Sequence, residues 1–251
     1  MRVLVTFAVD AEFAPWRKLR SFQKVRSSKS SYFKSDMNGV AIDVILTGIG
    51  AKTSWLDTAH EIYDCEIQMC ISAGMAGALR PEHRVGEILV AQKVLAPPRD
   101  MTAFSDPSLI TAAVSLGAKG VSTFYTSDRV IASAEEKRKL CVFADAVEME
   151  SFEVMFEGGM FAEKTVAIRV ISDGAEQNLP IDFNRATTDA GTVSMSRLLG
   201  EVARHPASVW GLIQFAQQSK MAGEKLGEFL ERYIKAVTTE PKLEVNQAGC
   251  R

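Results

Sequence analysis

The hydrophobic positions of this chain fall into short apolar runs, separated by stretches in which apolar residues recur at helical spacing. Val166-Ala167-Ile168-Arg169-Val170-Ile171 is a largely β-branched run on both faces that ends abruptly at Ser172-Asp173-Gly174, the pattern of a buried strand. Residues 2–8, 40–46, 67–72, 85–90 and 121–125 read as further strands. Asn38-Gly39, between Tyr32-Phe33 and Val40-Ala41-Ile42, predicts a two-residue hairpin. Helices are predicted from Asp10, as the capping residue, and over residues 51–63, 108–117, 134–142 and 151–156. Residues 17–34 are basic and Ser-rich, an exposed loop and a ragged strand. Beyond residue 189 the pattern is helical through 203, where His205-Pro206 breaks it. Leu226, Phe229, Leu230, Tyr233, Ile234 and Val237 then mark an amphipathic helix, and the polar residues from 239 onward form a loose end.

Strands alternating with helices predict an α/β sandwich around a largely buried sheet, made mixed by the hairpin. In such sheets, ligands bind just beyond the carboxyl ends of the strands, where Asp173 falls. Val147-Glu148-Met149-Glu150 sets two more carboxylates before a helical segment, and Glu12 lies in the first turn of the first helix. Taken singly, Glu12 is a dipole-favoured acid, Asp173 a helix cap and the glutamates solvated. Their joint appearance makes a site, with Glu148 left as structural.

Composition narrows the classes. At 251 residues, 47% hydrophobic and 24% charged, the chain has the makeup of an ordinary soluble domain with one sizeable core. A formal net charge of -2 argues against nucleic acid as a partner. Cys65, Cys70, Cys141 and Cys250 do not look like a disulfide framework. His60, His83 and His205 are isolated, so no metal or other cofactor is expected. Gly48-Ile49-Gly50-Ala51-Lys52-Thr53 fails the P-loop spacing, and Arg169 reads as a structural arginine. No signal-peptide pattern or membrane-length run is seen, so a cytoplasmic setting is expected.

The chain resembles the nucleoside phosphorylase and nucleosidase superfamily, and within it the methylthioadenosine/S-adenosylhomocysteine nucleosidases. The blocks that carry this are residues 8–12, Thr47-Gly48-Ile49-Gly50, residues 73–79 with Val85-Gly86-Glu87, Asp100-Met101-Thr102-Ala103-Phe104, Val147-Glu148-Met149-Glu150, and residues 169–173. The resemblance implies a three-layer α/β sandwich that cleaves the N-glycosidic bond of purine nucleosides, usually as an oligomer, here a homodimer. It implies Asp173 as the acid that protonates purine N7 and Glu12 as the residue that orients the attacking water. Glu150 then grips the ribose hydroxyls with Met149 under the sugar, and Ser172, Met75, Ala76, Gly77, Val130, Ile131 and Phe104 complete the substrate-binding set.

The residues depart from that family in three places. Gly74-Met75-Ala76-Gly77-Ala78 stands for its Gly-Ser-Ala-Gly-Gly turn. Val130 stands where a Phe would stack on the base, forfeiting about 0.5–1.5 kcal/mol. The loop after Phe104, which helps enclose the 5′ substituent, is cut to Ser105-Asp106-Pro107, which suggests a larger 5′ group.

Residues 1–203 are thus expected to form the catalytic domain, 204–238 a helical extension and 239–251 a flexible tail. The extension, with Trp210 and Phe215, resembles that of a hopanoid-associated branch taken to remove adenine from adenosylhopane. A lipid substrate, or a membrane surface met by the C-terminal helices at the inner face, is the matching expectation. The rival readings are a phosphate-dependent purine nucleoside phosphorylase, with Gly48, Gly50, Arg80 and Arg84 as the candidate phosphate donors, and a non-catalytic nucleoside-binding protein.

Overall fold

The computed structural model describes residues 1–27, 30–51, 55–60, 67–97, 100–181, 183–186 and 209–239. It is a mixed α/β fold around a ten-stranded central sheet. Two twelve-residue strands form its spine, β5 (Ile67–Ala78) and β10 (Ala162–Asp173), paired in parallel from Ala162↔Ile67 to Asp173↔Gly77. On one side β5 pairs in parallel with β1 (Arg2–Phe7), which pairs with β4 (Val40–Leu46). Beyond β4 lie the antiparallel strands β3 (Tyr32–Met37) and β2 (Gln23–Val25). On the other side β6 (Ile88–Ala96), β8 (Lys119–Thr126) and β9 (Ala146–Glu148) run from β10 back to β5. The sheet therefore closes on itself at this end. The short strand β7 (Met101–Phe104) pairs with β6 outside the ring.

Local chemistry explains much of this. Asn38 and Gly39 both take positive φ, 54° and 84°, in the tight turn joining Met37 to Val40. Such a turn matches the right-handed twist of the strands it joins. The reading of residues 74–78 as a turn after a short strand is corrected: β5 continues through Gly74 and Gly77 to Ala78. Pairing with β10 and β9 overrides the weak strand preference of glycine. The strand expected over 85–90 begins three residues later, because Gly86 sits at φ 82° in the approach to β6. Asp10 does not cap the first helix. Val9 occupies that position, and Asp10 pairs with Arg17 within α1 (Asp10–Leu19).

Among the described residues, the remaining α-helices are α2 (Trp55–His60), α3 (Pro107–Ser115), α4 (Ala134–Leu140), α5 (Ser151–Gly158), α6 (Phe183–Ala186) and α7 (Val209–Thr239). Of the helix expected over 51–63, residues 51 and 55–60 are described: Ala51 ends a short 3-10 turn, and 55–60 are α-helical. The expected helix through 203 and the His205-Pro206 break lie outside the described residues; of the loose end expected from 239, Thr239 still closes α7 and the rest lies outside them. The periodic apolar face of α7 is buried: Leu226, Phe229, Leu230, Tyr233 and Ile234 join Phe7, Phe13, Trp16 and Val166 in the main core. A Cβ at Gly227 would lie 2.9 Å from the Trp16 backbone nitrogen, so this glycine lets α7 approach α1 closely. Glu231 accepts hydrogen bonds from Trp16 Nε1 (2.9 Å) and Arg20 Nε (3.0 Å), which closes the contact. No described helix is long and apolar enough to cross a membrane.

Candidate active site

Three acidic side chains from distant parts of the chain line one cavity of about 310 Å³. Glu12 comes from the first turn of α1, Glu150 from the junction of β9 and α5, and Asp173 from the last position of β10. The cavity opens at the carboxyl ends of β1, β5 and β10, as parallel strands lead one to expect. The register of β10 on β5 shifts between Ile171 and Asp173. Such irregularities re-aim a side chain beside many sites.

Each carboxylate is held by named donors. Glu12 Oε2 accepts from the backbone N–H groups of Ala8 (3.0 Å) and Val9 (3.4 Å), and Oε1 from that of Met75 (2.8 Å). Glu150 Oε1 accepts from the Gly50 N–H at 2.9 Å, and Arg169 lies 3.9 Å from its other oxygen. Asp173 Oδ1 accepts from the Ser172 hydroxyl at 2.6 Å, and Oδ2 from the Lys137 ammonium. A Cβ at Gly77 would fall 2.9 Å from Asp173 Oδ2, so a larger residue there would displace the acid.

Beneath them lies a fully buried pair, Arg169 and Glu148, joined at 2.6 Å. Arg169 also donates to Ser72 O at 2.9 Å. Glu148 Oε2 accepts from the backbone N–H groups of Glu150 (2.9 Å) and Ser151 (2.7 Å), while Oε1 accepts from the Thr126 hydroxyl. Glu148 thus sets both the entry to α5 and the position of Glu150. Burial raises Glu12 above the ordinary carboxylate range, against the Met75 N–H and the Arg169 charge that favour its anion. Burial, reinforced by the Glu148 charge and opposed by Arg169, pushes Glu150 up to about 8. A site that raises two carboxylates while supplying a buried cation is suited to proton transfer and to hydroxyl recognition.

Met75, Ala76, Gly77, Val130, Ile131, Met149 and Ser172 line the same cavity as the three acids. Asn184 fixes Val130 through both backbone groups, accepting from its N–H at 2.7 Å and donating to its carbonyl at 3.0 Å. Phe104 is the exception. It lies on β7, opposite Lys93 of β6, and is 69% exposed outside the cavity of this chain, because β7 pairs on the outer edge of the ring.

Sequence reasoning left out Ile49, Leu179, Phe183 and Ser219, which also form the wall, and gave Phe215 only to the tail. The Ser219 hydroxyl is shielded from solvent and has no hydrogen-bond partner among the described residues. Neither residue type nor spacing marked these positions; Phe215 and Ser219 reach the site through the return of α7. Lys137 was also passed over, since a lysine in Ala134-Glu135-Glu136-Lys137-Arg138-Lys139-Leu140 reads as one more surface charge. Among the described residues, no group of three His, Cys, Asp or Glu side chains could hold a metal ion.

An α/β sheet closed at one end, with an acid-lined cavity over its strand ends, defines the class of protein. The chain belongs to the phosphorylase superfamily, whose family model matches residues 2–204. It is similar to the aminodeoxyfutalosine nucleosidase of Campylobacter jejuni, with 23% identity over 222 residues, 79% of this chain and 97% of that relative. Its fold is similar to that of the futalosine hydrolase of Helicobacter pylori, with TM-score 0.69 and 19% identity over 94% of this chain and 97% of the other. The 5′-methylthioadenosine/S-adenosylhomocysteine nucleosidase of H. pylori bound to butyl-thio-DADMe-Immucillin-A has TM-score 0.69 and 20% identity, covering 94% and 98%.

Proposed function

We propose that this protein hydrolyses the N-glycosidic bond of a 5′-modified adenosine and releases adenine. The observation that carries this reading is the convergence of Glu12, Glu150 and Asp173 on one cavity of nucleoside size. Breaking the C1′–N9 bond sends its electron pair to the base and leaves positive charge on the sugar. Asp173 gives a proton to N7, so that neutral adenine departs. Such a transfer is worth about 10²–10⁴-fold. Glu150 accepts hydrogen bonds from the ribose hydroxyls and, as an anion, favours the cationic sugar, much as carboxylates do in other glycoside hydrolysis. Glu12 orients a water on C1′ and takes its proton as the C–O bond forms. The names of the relatives in C. jejuni and H. pylori support a nucleosidase.

Water is favoured over phosphate as the nucleophile by two contacts. Glu150 already occupies the Gly50 N–H, where an anion would have to bind, and the Arg129 guanidinium at the cavity edge is paired with Glu136. Arg80, one of the two arginines expected as phosphate donors, pairs with Asp145 at 2.8 Å. We assign the 5′ substituent as large and apolar, with adenosylhopane as the type of substrate. Val130, Leu179, Phe183 and Phe215 give the cavity an apolar side, with Phe183 and Phe215 in ring contact at 5.4 Å, and α7 also carries the exposed Trp210 (81%) and Ile213. The exposed Phe104, Phe143, Phe156 and Met160 support a homodimer, to be checked by light scattering.

The deciding experiment is a panel of 5′-substituted adenosines assayed for adenine in phosphate-free buffer. Release without phosphate, fastest with large apolar 5′ groups, is the expected outcome. Release only on adding phosphate would make it a phosphorylase. Preference for short thioethers would remove the lipid substrate, and silence on all compounds would remove the enzyme reading.

A further inference from the structure

The mechanism above leaves one buried charge unused. On α4, Glu135, Arg138 and Lys139 are exposed and Glu136 is half-buried, whereas Lys137 is 0% exposed. Its Nζ donates to Asp173 Oδ2, to the Gly174 carbonyl at 2.8 Å and to the Gln177 carbonyl at 2.9 Å. Three acceptors take three N–H groups, a set that an ammonium has and a neutral amine lacks. A lysine buried this completely needs a paired carboxylate. The partner chosen here is the one acid in the cavity that the chemistry requires to give up a proton.

We propose that Lys137 is a positioning residue for that acid. It fixes the Asp173 carboxyl at the end of β10 and stabilises the carboxylate that forms as the proton passes to N7. This rests on the nucleosidase reading. The proton travels from Asp173 to the base as the C1′–N9 pair leaves with adenine. Lys137 keeps its own three protons, and solvent reloads Asp173 after the product departs. The same ammonium gathers the turn that forms the apolar wall. Gln177, whose carbonyl it holds, reaches Gln218 of α7 through its side-chain amide at 3.0 Å, and the Leu179 N–H bonds the Ala132 carbonyl at 2.8 Å. One side chain thus joins the proton donor to the wall that receives the 5′ group.

The test compares two glycosides carrying the same well-accepted 5′ group. One is the adenosine derivative, whose base must be protonated to leave; the other is a 4-nitrophenyl riboside, whose phenolate leaves without a proton. Lys137→Met is expected to lower kcat for adenine release by about 10²–10³-fold, with KM within about threefold and nitrophenolate release within about tenfold of wild type. Lys137→Arg, which keeps the charge, should recover adenine release to within about tenfold of wild type. If Lys137→Met does not fold, Lys137→Gln, which still donates to the two carbonyls, takes its place. A clamp with only a structural role would lower both reactions alike or act on KM. Either result, or unchanged adenine release, overturns the proposal. If the wild-type protein refuses the aryl riboside, recovery by Lys137→Arg decides, and its failure overturns the proposal. If the wild-type protein releases adenine from no adenosine at all, the nucleosidase reading itself fails and this inference falls with it.

Discussion

The two halves of the cavity are built differently. The polar half gathers Glu12, Glu148, Glu150 and Asp173 at strand ends and helix starts beside Arg169 within β10, and their carboxylate oxygens meet backbone N–H groups, hydroxyls or buried cations. The apolar half is made by Val130, Leu179, Phe183 and Phe215, from turns, from the short helix α6 and from a helix that arrives late in the chain. Among the described residues, the Ser219 hydroxyl in this half is buried without a hydrogen-bond partner. Rigid elements suit groups that must sit within a fraction of an ångström of a reacting bond, while loops tolerate change in shape and contact. On the proposed function, the comparison teaches that chemistry and substrate choice are separable here, with one fixed by the sheet and the other by what covers it.

Asp173→Asn should produce the largest effect. The amide can still bond N7 but has no proton to give, so kcat should fall about 10³-fold while a nucleoside analogue still binds by calorimetry. Unchanged adenine release would break the comparison by removing chemistry from the polar half. Glu12→Gln should follow, with kcat down about 10²-fold in single-turnover assays and little change in KM, since only water activation is lost.

Glu150 sharpens the comparison through pH. In the proposed mechanism its anion grips the ribose, so kcat/KM of the free enzyme should rise as pH climbs through about 8. Stability should move the other way. The folded state holds the Glu150 proton more tightly than the unfolded chain does, so this contribution is full below the ordinary glutamate value of 4.5 and is lost as pH rises through about 8. Glu150→Gln should therefore melt higher than wild type at pH 9, with no such gain at pH 4, while kcat/KM drops. A melting temperature that falls at pH 9 would contradict the burial argument.

The smallest effects belong to the apolar half. Phe215→Ala should raise KM for a large apolar 5′ group about tenfold, the scale of a few methylenes lost from a pocket, and leave kcat for adenosine within about twofold. Should Phe215→Ala lower kcat as strongly as Glu12→Gln does, the two halves are not separable.

Much of the polar half was legible in sequence because each part has a local signature. A β-branched run ending in Ser172-Asp173 is a strand with an acid at its exit, and Val147-Glu148-Met149-Glu150 before Ser151 is an acid at a helix start. The Asn38-Gly39 turn and the periodic face of Leu226 to Ile234 were legible for the same reason, since their geometry depends on neighbours within a few residues. What three-dimensional packing alone decided has no such signature. Gly74 and Gly77 became strand because β9 and β10 pair with them, and Phe104 was carried outside the cavity by the edge position of β7. Lys137, surrounded by surface charges in sequence, turned inward to an acid thirty-six positions away. Pairing between distant groups depends on which surfaces are brought together and drained of water, and a linear pattern of residue types does not encode that.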